Sequence, residues 1–179
     1  LVLRAARALR DAAGYAGGAA IALRKRIPVN AGLGGGSSDA AATLLALNGL
    51  WRLDLPLTQL ADLGATLGSD VPFFFYAPTA LVSGRGEVVE RLPDLPGTFV
   101  VLHKPPCAIS TRQVFGALEP ASYGDGAATE RLLAALRERV PVHRWPLTNG
   151  LQETVTRLYP DVADALARLR AAGATNPLM

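Results

Sequence analysis

The spacing of apolar residues predicts several helices before the middle of the chain. Over residues 1–13, apolar side chains recur at helical intervals with arginines between them, and Gly14 follows as a stop. Residues 40–51 are apolar on nearly every face, which predicts a helix buried on all sides. Another helix is predicted over residues 58–67, and a new element over residues 69–75. The most apolar of these helices directly follows a glycine-rich stretch.

Extended segments and a second group of helices are predicted by the remaining pattern. Residues 19–27 alternate weakly before a proline, and residues 98–103 form a short apolar run; both predict strands, the second of them buried. Residues 79–92 predict a hairpin with a glycine-containing turn. Helices are predicted over 110–118, capped by Ser110, and over 129–140, 151–158 and 161–172. This mixture predicts an α+β chain with a domain boundary near residues 90–98.

Composition and charge narrow the class of protein. The 179 residues are 50% hydrophobic, which is enough for a good core and excludes a disordered tail. The formal net charge is only +3, and the densest basic cluster, Arg24-Lys25-Arg26, is interpreted as a solvated strand end, so no nucleic-acid partner is expected. The single cysteine, Cys107, and the two histidines have no zinc-site spacing, and no apolar run reaches the length of a membrane span. A reduced, cytoplasmic protein without a membrane partner is expected.

The glycine-rich stretch is the sharpest chemical signal. Glycines stand at positions 32, 34, 35 and 36, and Ser37 and Ser38 follow at the predicted start of a helix. Glycine lets backbone N–H groups turn toward an anion, and a helix N-terminus favours negative charge, so a polyphosphate is the natural ligand. The dinucleotide pattern G-x-G-x-x-G fails here, and the chain contains no Gly-Lys pair for a P-loop. The alternative is a flexible loop whose Ser and Asp side chains merely cap the helix.

Asp70 is the second candidate, and two interpretations of it remain open. It lies just before Val71-Pro72 and the phenylalanines at 73–75, so its carboxylate is expected to be partly desolvated. Such a carboxylate could position or deprotonate a substrate hydroxyl. Alternatively, Asp70 is the N-cap of the next helix, with Pro72 in its first turn.

Together these residues resemble a known family. Residues 28–41, PVNAGLGGGSSDAA, resemble the second motif of the GHMP kinase superfamily, and the three-glycine form is particular to one member of it. Residues 47–51, 67–74 and 84–87 agree with the same member in order and spacing. The resemblance implies a kinase that uses ATP and Mg²⁺ to phosphorylate the 2-hydroxyl of a small substrate with a cytidine diphosphate group, in non-mevalonate isoprenoid biosynthesis. Another kinase of the superfamily, acting on mevalonate or homoserine, and a non-catalytic nucleotide-binding module are the alternatives.

The resemblance also implies a fold and residue roles. The fold has two domains, a ribosomal protein S5 domain 2-like N-domain to which residues 1–92 belong and a ferredoxin-like C-domain to which residues 93–179 belong. Asp70 corresponds to the catalytic aspartate that accepts the proton of the attacking hydroxyl, and Phe115 to an aromatic residue that stacks on cytosine. The residues implied in ATP binding are Pro28, Val29, Asn30, Ala31, Gly32, Leu33, Gly34, Gly35, Gly36, Ser37 and Ser38.

Parts of the family pattern are expected outside this stretch of sequence. The first motif, with its Lys and Asn, and a cytidine-binding histidine are expected before Leu1. A third, glycine-rich motif is expected after Met179. The chain is therefore expected to be part of a longer protein.

Overall fold

The computed structural model describes residues 1–119 and 123–179 of the chain. These residues form two compact units, Leu1–Pro96 and Gly97–Met179. Helices predominate and a small sheet accompanies them in the first unit, which agrees with the predicted α+β class. None of the described helices combines the length and the apolar composition that a membrane span requires.

The first unit contains four helices and a hairpin. In chain order they are α1 (Val2–Ala12), α2 (Gly35–Leu50), α3 (Leu57–Leu67), α4 (Phe73–Tyr76), β1 (Ala80–Ser83) and β2 (Val88–Arg91). The two strands pair in antiparallel register, with Ser83 opposite Val88 beside the turn. The predicted helices at residues 1–13 and 58–67 and the predicted hairpin are therefore confirmed.

The core of the first unit lies where α1, α2 and α3 meet. Leu9, Leu44 and Leu60 contribute one fully buried side chain from each helix, and each such burial contributes about 1.5–3 kcal/mol. Tyr15 stacks on Trp51 with ring centroids 4.6 Å apart. The indole N–H of Trp51 donates to the Gly18 carbonyl at 3.3 Å, which attaches the connection after α1 to the end of α2.

Helix α2 is buried on one side only, so the prediction of burial on all sides is wrong. Ala40, Ala41 and Leu44 face the core, whereas Leu50 is 66% exposed and Leu45 is also exposed. The partners of α2 within the first unit are α1, α3 and α4. Apolar side chains such as Leu45 and Leu50 therefore remain on an exposed face of α2, because no described element of this unit packs against that face.

The predicted strand at residues 19–27 is also wrong. The segment is irregular and largely exposed, and the described residues form a single sheet of two strands, β1 and β2. A strand requires a partner for its backbone N–H and C=O groups. Weak alternation without such a partner leaves these residues as an extended connection from α1 to the glycine-rich loop.

The second unit is helical. It contains α5 (Thr111–Gly116), α6 (Ala127–Arg137), a 3₁₀ turn (Val142–Arg144), α7 (Gln152–Leu158) and α8 (Pro160–Ala171). Its core consists of Val114, Val155, Val162 and Leu166, from α5, α7 and α8. The helices predicted in this part of the chain are confirmed, including the Ser110 cap, whose hydroxyl accepts from the Gln113 N–H at 3.3 Å.

Residues 98–103 do not form the predicted buried strand. This segment has no regular secondary structure, and the side chains of Phe99, Val100, Val101 and Leu102 are all largely exposed. Residues 99–102 have the composition of a buried strand, but in the described part of the chain they belong to no sheet and their side chains are largely exposed.

Candidate active site

The glycine-rich loop forms one wall of a cavity of about 550 Å³. The segments before the loop and the start of α1 form the rest of the wall. Every loop position from 28 to 37 lines this cavity, whereas Ser38 does not. The full lining comprises Leu1, Val2, Leu3, Leu23, Lys25, Pro28, Val29, Asn30, Ala31, Gly32, Leu33, Gly34, Gly35, Gly36, Ser37 and Asp39. Ten of the eleven residues assigned to ATP binding from the sequence thus meet at one concave surface.

The backbone of the loop requires glycine at its end. Asn30, Gly32 and Gly34 have φ angles of +55°, +68° and +63°, in the left-handed region where a Cβ is unfavourable. At Gly34, a Cβ would also lie only 2.8 Å from Cζ of Phe74 in α4. Position 34 is therefore restricted both by its own conformation and by the close approach of α4.

The N-terminus of α2 presents free donors to the cavity. Gly34 is the N-cap residue, and no side chain caps the helix. The first turn of a helix has no intrahelical acceptors for its N–H groups, which leaves those of Gly35, Gly36 and Ser37 without a protein partner in the described part of the chain. The alternative in which Ser and Asp side chains cap this helix is excluded, and the arrangement suits an anion.

The two serines have different environments. The Ser38 hydroxyl donates to the Gly35 carbonyl at 3.0 Å, inside the first turn of α2. Ser37 belongs to the cavity lining. The two serines, equivalent in the sequence interpretation, thus differ in the structure, and Ser37 is the one that lines the cavity.

Lys25 and Asp39 are site residues that the sequence interpretation missed. The Lys25 ammonium donates to the Asp39 carboxylate at 2.5 Å and to the Gly35 carbonyl at 3.2 Å, and both residues line the cavity. The interpretation of Arg24-Lys25-Arg26 as a solvated strand end is wrong about the strand, because residues 19–27 form none, whereas Lys25 is exposed and also makes these two contacts. The sequence carried no signal for this pair, because 14 residues separate its members.

Asp70 lies in the turn between α3 and α4, and it is exposed. The expectation of partial desolvation is wrong, because the apolar residues that follow, Val71 and Pro72, turn inward and are buried while Asp70 stays at the surface. The N-cap alternative is also excluded, because α4 begins at Phe73, with Pro72 as the N-cap residue and no side-chain cap. Asp70 does not line the cavity of the loop, although Phe74, one turn further on, packs against Gly34.

The hairpin supports the turn that carries Asp70. A Cβ at Gly86, whose φ is +117°, would lie 3.0 Å from the Ser69 carbonyl oxygen, so the hairpin turn closely approaches the residue before Asp70. Glu87 stabilises that turn by accepting a hydrogen bond from the Arg85 N–H at 2.6 Å. The pKa of Glu87 is lowered, first by a hydrogen bond from its own N–H and then by that from Arg85. The carboxylate form is therefore the one that holds the turn.

Phe115 belongs to the second unit, where it lies on α5 and is 57% exposed. The Tyr159 hydroxyl accepts from the Ser110 N–H at 3.0 Å and donates to Oε1 of Gln113 at 2.9 Å. Tyr159 thus fixes the first turn of the helix that carries Phe115. Sequence reasoning missed this contact, because 49 residues separate Ser110 from Tyr159.

Comparison with known proteins shows what the first part of this chain, which contains the loop, is similar to. Residues 1–77 match the family model described as the GHMP kinases N terminal domain. This range contains the whole loop and Asp70. The resemblance that the sequence indicates is confirmed: the first 77 residues of this chain are similar to the N-terminal domain of the GHMP kinases.

Two curated relatives and one solved structure that match this chain carry the name of one particular kinase. A 4-diphosphocytidyl-2-C-methyl-D-erythritol kinase of Pelotomaculum thermopropionicum is 43% identical over 100% of this chain and 63% of its own length. The kinase of that name from Geobacillus kaustophilus is 41% identical over 100% of this chain and 62% of its own. A crystal structure of 4-(cytidine 5'-diphospho)-2C-methyl-D-erythritol kinase matches with a TM-score of 0.80 and 38% identity, over 99% of this chain and 64% of that one. The chain thus spans 62–64% of the length of these three proteins.

Proposed function

We propose that this protein transfers the γ-phosphoryl group of ATP to the 2-hydroxyl of 4-diphosphocytidyl-2-C-methyl-D-erythritol, in non-mevalonate isoprenoid biosynthesis. The observation that carries the proposal is the cavity at the N-terminus of α2, with its free N–H groups and its glycine-lined wall. The names of the relatives, which match all or nearly all of this chain, support this substrate over mevalonate or homoserine.

The residues of the loop fit a polyphosphate. The N–H groups of Gly35, Gly36 and Ser37 would donate to phosphate oxygens, and the positive end of the α2 dipole would favour their charge. Residues 28–33 would hold the rest of the nucleotide along the cavity wall. Because these donors are fixed before the ligand arrives, they stabilise developing charge without reorganising.

A magnesium ion would bind beside the phosphates in the same cavity, with few protein ligands. Among residues 1–119 and 123–179, no group of three or more His, Cys, Asp or Glu side chains could hold a metal ion. Mg²⁺ in kinase sites commonly binds through one or two protein oxygens together with phosphates and waters. Ser37 is the residue whose hydroxyl would contribute, since that of Ser38 is engaged within the helix.

Asp70 would act on the substrate hydroxyl. Bound ATP supplies the phosphoryl group, and the carboxylate of Asp70 would orient the 2-hydroxyl and accept its proton. The turn that carries Asp70 is anchored on one side by buried Val71 and on the other by the hairpin glycine Gly86. Such anchoring suits a residue whose task is positioning.

The cytidine part of the substrate would stack on Phe115. An exposed ring on a helix that is fixed at its first turn is suited to stacking on a planar base. Residues 1–92 would thus contribute to the nucleotide-binding domain of the GHMP kinase fold, and residues 93–179 to the domain that carries Phe115.

The test is the substitution Asp70→Asn in the complete protein. Loss of the proton acceptor is expected to lower turnover about 10²–10⁴-fold, while the dissociation constant of ATP stays within about twofold, because Asp70 lies outside the loop cavity. Turnover is measured as ADP release and ATP affinity by calorimetry. Full activity in this variant would refute the assignment of Asp70.

The choice of substrate is tested with the unaltered protein. ADP release with the cytidine-bearing alcohol, but not with mevalonate or homoserine, is the expected result. ATP binding without ADP release on any of the three alcohols would instead identify a non-catalytic nucleotide-binding module.

A further inference from the structure

We propose that Lys25 is a positioning residue that neutralises Asp39 and thereby keeps the phosphate-binding loop receptive to anions. This inference rests on the proposed function, because it concerns how the loop accepts the phosphates of ATP. The loop itself supplies backbone donors, and Lys25 acts on them through Asp39.

The geometry places a carboxylate where an anion is expected to bind. Asp39 lies one turn into α2 and lines the same cavity as the free N–H groups of Gly35 and Gly36. A carboxylate at this place opposes the positive end of the helix dipole and repels a second anion. On its own, Asp39 would therefore weaken the binding of a polyphosphate.

Lys25 neutralises the charge of Asp39 at the surface of the cavity. Its ammonium contacts the Asp39 carboxylate at 2.5 Å and the Gly35 carbonyl at 3.2 Å. The two side chains are 31% and 24% exposed, so water screens the pair less than it screens a fully exposed pair. Of the described side chains that line the cavity, only Lys25 and Asp39 are ionisable, so no other side chain of the lining balances the carboxylate.

The connection from α1 brings Lys25 to this position. Ile27, two residues later, lies against the start of α2. A Cβ at Gly35 would be 2.8 Å from Cγ2 of Ile27 and 3.3 Å from Nζ of Lys25. The absence of a side chain at Gly35 is thus what allows the lysine to cross the helix start and reach Asp39. Residues 19–27, which form no strand, thus bring the Lys25 ammonium to Asp39.

The experiment compares three variants of the complete protein for ATP binding by calorimetry at low ionic strength. Lys25→Met leaves Asp39 unpaired and is expected to weaken ATP binding about tenfold or more. Adding Asp39→Asn to it removes the unpaired charge and is expected to restore affinity to within about threefold of the original protein. Asp39→Asn alone is expected to bind ATP more tightly, because it frees the Lys25 charge for the phosphates.

A matched ion pair provides the control. Arg10 and Asp11, at the far end of α1 from the cavity, form an exposed pair at 2.9 Å. Arg10→Met and Asp11→Asn make the same changes in charge and are expected to leave ATP affinity unchanged. Thermal unfolding of every variant reports whether it remains folded.

Three results would overturn the inference. They are unchanged ATP affinity in Lys25→Met, a double variant as weak as Lys25→Met, and weaker binding in Asp39→Asn alone. The second result would assign Lys25 to direct phosphate contact, and the third would assign the pair to holding the loop in shape. A wild-type protein that binds no ATP would refute the proposed function itself, and with it this inference.

Discussion

At the scale of single residues, Gly34 carries the strongest constraint in the loop. Its backbone is left-handed, it is the N-cap residue of α2, and its missing side chain makes room for Phe74. Three requirements thus meet at one position: a turn, free N–H groups directly after it, and close contact with α4. A glycine with a single such role would tolerate replacement better.

We expect Gly34→Ala to destabilise the complete protein by about 2 kcal/mol, from left-handed strain and the clash with Phe74. ATP affinity should fall as well, because the first turn of α2 must shift. Urea unfolding and calorimetry measure the two effects.

Gly49→Ala is the matched control in the same helix. A Cβ at Gly49 meets nothing within 4 Å, and alanine inside a helix is more stable than glycine by about 0.5–1 kcal/mol. Equal stability changes for the two alanine variants would contradict the role given to Gly34.

At the scale of elements, α5 shows how a short helix is fixed from outside. It has only 6 residues, too few to be stable alone. Its start is held by the Ser110 cap and by the Tyr159 hydroxyl, and its Val114 is buried in the core of the second unit. The contact from Tyr159 is therefore one of three features that give Phe115 a defined position.

Replacing Tyr159 by Phe removes one hydroxyl and is expected to cost about 1 kcal/mol in the free energy of unfolding. In the complete protein, the KM for the cytidine-bearing substrate should rise while kcat changes little, because a loosened α5 presents Phe115 less well. Tyr123→Phe, at an exposed tyrosine of the same unit, should change neither quantity. A rise in KM of equal size in both variants would contradict this role for Tyr159.

The elements also show which features the sequence could predict. Helices α1 and α3 and the hairpin are encoded by local spacing and by turn glycines, so they were predicted correctly. The strands at residues 19–27 and 98–103 depend on a partner elsewhere in the chain, which local spacing does not contain. The loop can be predicted because four of the five residues from 32 to 36 are glycine, whereas the role of Lys25 cannot, because its partner is distant in sequence.

At the scale of the whole molecule, the apolar run of residues 98–103 is the least usual feature. Scattered exposed apolar side chains are ordinary, but here four of them, Phe99 to Leu102, follow one another in the chain. An uncovered extended segment of this composition favours association between molecules.

We therefore expect the chain of 179 residues to self-associate in a concentration-dependent manner. Phe99→Gln should reduce light scattering and binding of a hydrophobic dye. Leu50→Gln, which replaces an isolated exposed side chain on α2, should have little effect. A chain that remains monodisperse at high concentration without any substitution would contradict the expectation.

The free N–H groups at the start of α2 have a consequence for inhibitor resistance. A compound that hydrogen-bonds to the backbone of Gly35, Gly36 and Ser37 contacts atoms that every amino acid except proline supplies. Substituting these positions does not remove the donors, and Gly34 beside them is closed to larger residues by Phe74. Escape mutations against such a compound should therefore arise mainly at side chains around the cavity. Substitutions there leave the backbone conformation of the loop unchanged.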